Sequence, residues 1–178
     1  MFFYSILTLF FLSFFYNFIF KNILFVDIIS ISINFVIKAI SGIFLIQAKI
    51  SVWIIISTFF LAFFLALNKR RSELSKKGRL YKYRPLLKNY SQSMVDKMIN
   101  LTITILIISF FIYTIITSRE MLLITIPVIL YIIAKYFEIV DKDKIVGRNL
   151  EMILKHRSIL VSIILWLILT IFVLYFIY

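Results

Sequence analysis

Cysteine is absent from this chain of 178 residues, and histidine occurs once, at His156. Disulfides, thiolate nucleophiles and cysteine-ligated metals are therefore excluded, and one imidazole cannot build a histidine metal site. Glycine occurs three times and proline twice. No repeat or low-complexity linker breaks the chain, which predicts one membrane bundle. Acidic residues are scarce, eight against twenty lysines and arginines, giving a formal charge of +12.

What is abundant is apolar. Hydrophobic residues make up 63% of the chain, where an ordinary soluble domain would hold about half. Windows of about 19 residues predict six membrane spans, near residues 1–20, 23–47, 50–68, 98–117, 121–140 and 159–178. The expected fold is an all-α polytopic transmembrane bundle. Met1 runs into Phe2, Phe3 and Tyr4 without a basic segment or a small-residue cleavage pattern, so the first span is expected to stay as a membrane helix.

Basic residues set the expected orientation. Ten lie between Lys69 and Lys97, six between Lys135 and Arg157, and Lys21 lies at the first turn, while the other side holds only Lys49 and Arg119. The positive-inside rule makes the three rich connections cytoplasmic, and six spans then put both termini outside. Attraction to anionic lipid accounts for part of this asymmetry. A nucleic-acid partner is not expected, because the basic loop has too little body outside the membrane to form a groove.

The second span carries polar residues on one face. At about 100° per residue, Asn34 and Lys38 fall about 20° either side of Asp27, with Ser41 about 40° and Ser30 about 60° away. This seam is expected to face protein or water. A lysine near mid-helix costs roughly 2.5 to 3.5 kcal/mol on insertion scales, which makes Lys38 a candidate site residue; the alternative is a side chain that snorkels to a headgroup. Lys38 lies about 16 Å along the axis from Asp27. It is therefore expected to meet a packed hydroxyl or another helix's carboxylate, with Asn34 bridging it to Asp27.

The stretch from Lys69 to Met98 is too long for a mere turn. Asn68 to Leu80 is expected to continue the third helix until Gly78, and Arg84 with Pro85 marks a break. Ser91 offers an N-cap for a helix entering the fourth span, with Asp96, Asn100 and Thr104 along one face. Pro127 predicts a kink in the fifth span. Gly147 is read as a turn and Asn149 as the cap of a short helix through Lys155.

Several segments fit a known pattern in order: Tyr16 to Asp27 (YNFIFKNILFVD), Asp27 to Gly42 (DIISISINFVIKAISG), Trp53 to Leu74 (WIIISTFFLAFFLALNKRRSEL), Tyr83 to Asp96 (YRPLLKNYSQSMVD) and Tyr113 with Thr114. The chain resembles the decaprenyl-phosphate phosphoribosyltransferase branch of the UbiA prenyltransferase superfamily. LALNKRRSEL and RPLL-x-x-YS are the most specific pieces. The resemblance implies nine helices, a cytoplasm-facing cavity and two Asp-rich loops that hold Mg²⁺ on a diphosphate. No NDxxDxxxD run occurs here, so the chain is expected to correspond to the fourth helix onward, without the first metal motif. A separate chain supplying the first three helices is an expected partner. Lys38 stands where the resemblance usually has Arg, and Ser72 where it has His.

The implied reaction moves 5-phosphoribose from phosphoribosyl diphosphate to a polyprenyl phosphate in the bacterial plasma membrane. Holding several phosphates together and neutralising the departing diphosphate is a task for cations and Mg²⁺. Asp96 and Glu73 are candidate Mg²⁺ ligands, since Mg²⁺ takes one or two carboxylates beside substrate oxygens. Lys69, Arg70 and Arg84 are the candidate phosphate clamp, with Arg71 an even choice between clamp and solvated collar. Tyr16 and Lys21 serve the lipid phosphate or anchor the interface. Asp27 orients a ribose hydroxyl or metal-bound water, or else caps its helix or pairs with a lysine. Competing functions are a prenyltransferase acting on an aromatic or quinone precursor, a non-catalytic membrane subunit or truncated gene product, and a transporter.

Overall fold

A computed structural model describes residues 2–75, 85–142 and 150–176. Among them the protein is all-α, with helices α1 (Phe2–Phe18), α2 (Val26–Leu45), α3 (Val52–Ser75), α4 (Gln92–Ile116), α5 (Ile126–Lys142), α6 (Leu150–Lys155) and α7 (Arg157–Phe176). Short 3-10 turns cover Phe20–Asn22, Pro85–Asn89 and Glu120–Thr125. Six segments are long and apolar enough to cross a bilayer: Phe2–Asn22, Val26–Leu45, Val52–Leu74, Gln92–Ile116, Glu120–Lys142 and Arg157–Phe176. At 1.5 Å per residue, twenty residues reach about 30 Å, the thickness of a hydrocarbon core. The protein is a polytopic membrane protein, as its composition requires.

Backbone polar groups have no water to bond inside a bilayer, so helices that satisfy themselves are the available solution. The hydroxyls follow the same rule. Ser32, Ser41, Thr102, Ser162 and Thr170 each donate to the carbonyl four residues earlier, at 2.7 to 3.0 Å. Their polarity is spent within their own helices.

The chain divides into two compact units, Met1–Ser109 and Phe110–Tyr178. In the first, α2 packs against both α1 and α3. Ile28, Leu67, Leu87, Val95 and Ile99 are buried there. By contrast α1 buries only Ser5 among its residues and exposes Phe3, Phe10 and Phe18, the surface expected of a helix bathed in lipid tails. In the second unit α5 and the Glu120–Thr125 turn pack on α7, around Leu122, Tyr136, Ile153 and Ile159.

Two helix ends are closed without glycine. After α2, Ala48 N–H bonds the Ile43 carbonyl at 3.2 Å and Gln47 N–H that of Phe44 at 3.4 Å, with Gln47 at φ 54°. After α4, Arg119 N–H bonds Thr114 and Ser118 N–H bonds Ile115, at 2.9 and 3.1 Å, with Ser118 at φ 53°. Both are the paired closing bonds of a Schellman ending, a position usually given to glycine. The scarcity of glycine hid these stops from the sequence pattern.

Ser91 caps α4 as expected, its Oγ accepting from Met94 N–H at 3.1 Å. Pro127 sits in the first turn of α5, directly after the Glu120–Thr125 turn, a place in a helix where proline's missing N–H is tolerated. Gly78, Arg84, Gly147 and Asn149 lie outside the described residues.

Candidate functional site

The first unit gathers ion pairs at one end, where α2 begins, α3 finishes and the Pro85–Asn89 turn packs on both α3 and the Phe20–Asn22 turn. Asp27, in the first turn of α2, is wholly buried. A carboxylate there lies at the positive end of the helix dipole. Its Oδ2 accepts from Arg70 Nε at 2.7 Å, and its Oδ1 accepts from the Tyr90 hydroxyl, also at 2.7 Å. Arg70 is 1% exposed and donates through Nη1 to Glu73, one turn along α3.

Tyr90 acts twice. While its O–H donates to Asp27, its oxygen accepts the Phe25 N–H at 3.0 Å. The two rings meet edge to face, centroids 5.8 Å apart at 85°, a favoured aromatic geometry. Phe25 precedes α2 with φ 63° and ψ −32°, and no side chain caps the helix there. Such a backbone conformation is costly for a residue with a bulky side chain and persists only where its surroundings impose it. Here Tyr90 supplies both the hydrogen bond and the packing. Burial, followed by the bond to Asp27, pushes the Tyr90 phenol well above its ordinary range, against a smaller opposite effect of the Phe25 amide.

Arg71 points elsewhere, as helical neighbours about 100° apart must. Its Nε lies 2.8 Å from Asp96 Oδ1 on α4. The two form an ion pair by distance, but their alignment is too poor for a hydrogen bond, and both atoms are buried without another partner among the described residues. This pair keeps hydrogen-bonding capacity unspent.

The structure thus redistributes the roles expected of the cations and acids. Arg70, expected to clamp phosphate, is committed to Asp27 and Glu73. Asp27 is paired with an arginine rather than a lysine, and both its oxygens are occupied. Lys69 is exposed on the same helix end, and Lys21 is exposed in the Phe20–Asn22 turn while Tyr16 on α1 is half-buried. Arg84 is outside the described residues. For Mg²⁺, the described residues hold no group of three or more carboxylates and imidazoles able to bind an ion. Glu73 and Asp96 each lie against an arginine. The donor set does not fit a metal centre as it stands.

The polar seam of α2 also divides. Asp27, Ser30 and Ser41 are buried, but Lys38 is exposed and Asn34 half-buried. Ser30 and Ser41 are spent on carbonyls of their own helix. Among the described residues Asn34 does not bridge Lys38 to Asp27, and its Oδ1 is buried without a donor. Lys38 meets neither a hydroxyl nor a carboxylate among the described residues, and its Nζ lies 5.4 Å from the centre of the Phe35 ring. By helical angle the buried serines lie on one side of Asp27 and Lys38 on the other, so Lys38 falls at the edge of the covered stripe.

Sequence reading missed Tyr90 as a site residue although it stands within the YRPLLKNYS segment. Nothing local distinguishes a tyrosine that reaches a carboxylate from one that anchors an interface. Comparison with protein-family models, with curated proteins and with solved structures returns no match.

Proposed function

We propose that this chain carries the phosphate-handling end of a polyprenyl-phosphate phosphoribosyltransferase of the UbiA superfamily, set in the bacterial plasma membrane with its basic connections on the cytoplasmic side. One observation supports this reading above others. Three segments that carry the resemblance, ending in Asp27, containing Arg70 and Glu73, and containing Tyr90, meet in one buried hydrogen-bonded network. The Arg71 and Asp96 pair joins the second and third of them again.

In this proposal the Asp27, Arg70 and Tyr90 network is the frame, and the other candidate side chains face substrate. Lys69, Arg71 and Arg84 hold the phosphates of phosphoribosyl diphosphate, because a guanidinium offers a planar fork and an ammonium a point charge. Tyr16 and Lys21 hold the phosphate of the lipid acceptor. A phosphate oxygen of the polyprenyl phosphate attacks the anomeric carbon, the bond from that carbon to diphosphate breaks, and diphosphate leaves. Cations beside the leaving group stabilise the charge it gains. Mg²⁺ on the donor diphosphate would neutralise the leaving group's charge, and carboxylates to hold it would have to come from a separate chain. Turnover by this chain alone is expected to be slight.

The test is a binding comparison in lipid nanodiscs with Mg²⁺ present, phosphoribosyl diphosphate against a prenyl diphosphate. The proposal expects preference for the ribosyl donor, weakened about tenfold by Lys69→Gln and by Arg71→Gln, the usual scale for losing one charge-assisted bond. Preference for the prenyl diphosphate would instead assign the sister activity of transfer to an aromatic or quinone precursor. Binding of neither would leave a non-catalytic membrane subunit. In a radiolabelled donor assay, turnover that survives replacement of both Lys69 and Asp96 would reject the site.

A further inference from the structure

Lys38 and Asn34, one turn apart on α2, hold complementary and unused hydrogen-bonding groups inside a membrane span. Lys38 has three ammonium protons and, among the described residues, only an aromatic ring for company. Asn34 has a buried acceptor with no donor. Water is scarce at this depth: within the span Val26–Leu45, Lys38 lies about 18 Å from one helix end and about 10 Å from the other. The side chain does not run to the nearer end. Helical side chains lean toward the N-terminus, and the position of Nζ over Phe35, three residues earlier, shows Lys38 doing so.

A cation placed in this way needs a counter-charge at the same depth. The chain itself has none to offer. Each of its eight carboxylates lies within four residues of a span end or outside the spans, so neither another helix of this chain nor a second copy in register brings one to the middle of a bilayer. A headgroup phosphate is equally misplaced, since it stays at the interface.

We propose that the Asn34 and Lys38 turn of α2 is the docking point for a membrane-spanning helix of a different polypeptide, one that carries a carboxylate at mid-span. The carboxylate accepts from the exposed Lys38 Nζ. Exposed Phe35 and Ile33 flank the pair and supply apolar packing. The inference stands on depth and charge and is independent of the transferase reading.

The probe is a labelled single-span leucine–alanine peptide with one mid-span Glu, reconstituted with the labelled full chain in phosphatidylcholine vesicles and followed by energy transfer. Compared with the same peptide carrying Leu, the Glu peptide should associate about tenfold more tightly, within the range of polar contacts between membrane helices. Lys38→Leu should abolish that preference, as should Lys38→Met, which keeps most of the length of the side chain and removes its donors. Lys38→Glu should transfer it to a peptide with a mid-span Lys. Equal association of Glu and Leu peptides, or a preference that survives Lys38→Leu, overturns the proposal. So does loss of the preference on adding phosphatidylglycerol, which would assign Lys38 to lipid phosphate.

Discussion

Tyr90 and Asp27 stand 63 positions apart in the chain, and the phenol donates to the carboxylate across 2.7 Å. Because the same phenol oxygen holds the Phe25 amide, the segment after α3 fixes both the charge and the backbone at the start of α2. Arg70 completes the arrangement from the end of α3. Two helix ends and a connecting segment are thereby locked by one buried carboxylate.

Removing that carboxylate should be severe. Asp27→Ala leaves Arg70 buried beside a single acid, Glu73, and breaking a buried pair costs about 3 to 5 kcal/mol. The measurement is equilibrium unfolding in mixed micelles. Arg70→Met added to Asp27→Leu should recover much of the loss, since the uncompensated charge goes with it. If the double variant is no more stable than Asp27→Leu alone, Arg70 is not the group made unstable.

Tyr90→Phe deletes two hydrogen bonds and keeps the ring. A loss of about 1.5 to 3 kcal/mol is expected, the scale of a bond to a charged group. Hydrogen exchange at the Phe25 amide should accelerate with it. An unchanged exchange rate at Phe25 would separate the backbone conformation from Tyr90.

Alkaline titration gives a signed test of the same contact. The folded state raises the Tyr90 phenol above its unfolded value of about 10, so it favours the protonated form. That contribution to stability is fully present below about pH 10 and is lost as pH rises through the folded value. Ultraviolet difference titration of wild type minus Tyr90→Phe should show no phenol ionising where free tyrosines do. A normal phenolate step in that difference would contradict the buried contact.

Asp96 should behave differently from Asp27. It is 37% exposed, and its approach to Arg71 lacks hydrogen-bond alignment, so Asp96→Asn should change stability by less than about 1 kcal/mol. Donor binding in the nanodisc assay should still fall, because Arg71 would lose the group that orients it. Equal losses in stability and binding would make the pair a fastener of the fold.

Asn34→Leu should leave the isolated chain as stable or more stable, by up to about 2 kcal/mol, because a buried acceptor without a partner is a cost. Unfolding of the chain alone is the measurement. A marked destabilisation would reveal a donor to Asn34 within this chain.

The number and placement of the spans were legible in the sequence because an apolar run of bilayer length is a local quantity. The Ser91 cap was legible for the same reason. The endings at Gln47 and Ser118, and the position of Pro127 at a helix start, were not, since the usual glycine signal is missing and proline fits two places in a helix. At the site, the segments around Asp27, Arg70 and Asp96 were all marked as candidates, yet their partners were not assigned. Asp27 was set near a ribose hydroxyl, a metal-bound water, a cap or a lysine; its partners are Arg70 and Tyr90.

From the sequence alone came a six-span helical membrane protein with a cluster of cations at one connection, for hydropathy and charge are sums over neighbouring residues. Which arginine is wholly buried and which keeps some exposure was decided only by tertiary structure. Arg70 and Arg71 differ by one position and about 100° of helix, and only the elements packed around them determine that the first meets Asp27 while the second meets Asp96. Lys38 followed the same logic: its depth is written in the chain, but its exposure depends on where the cover over α2 stops.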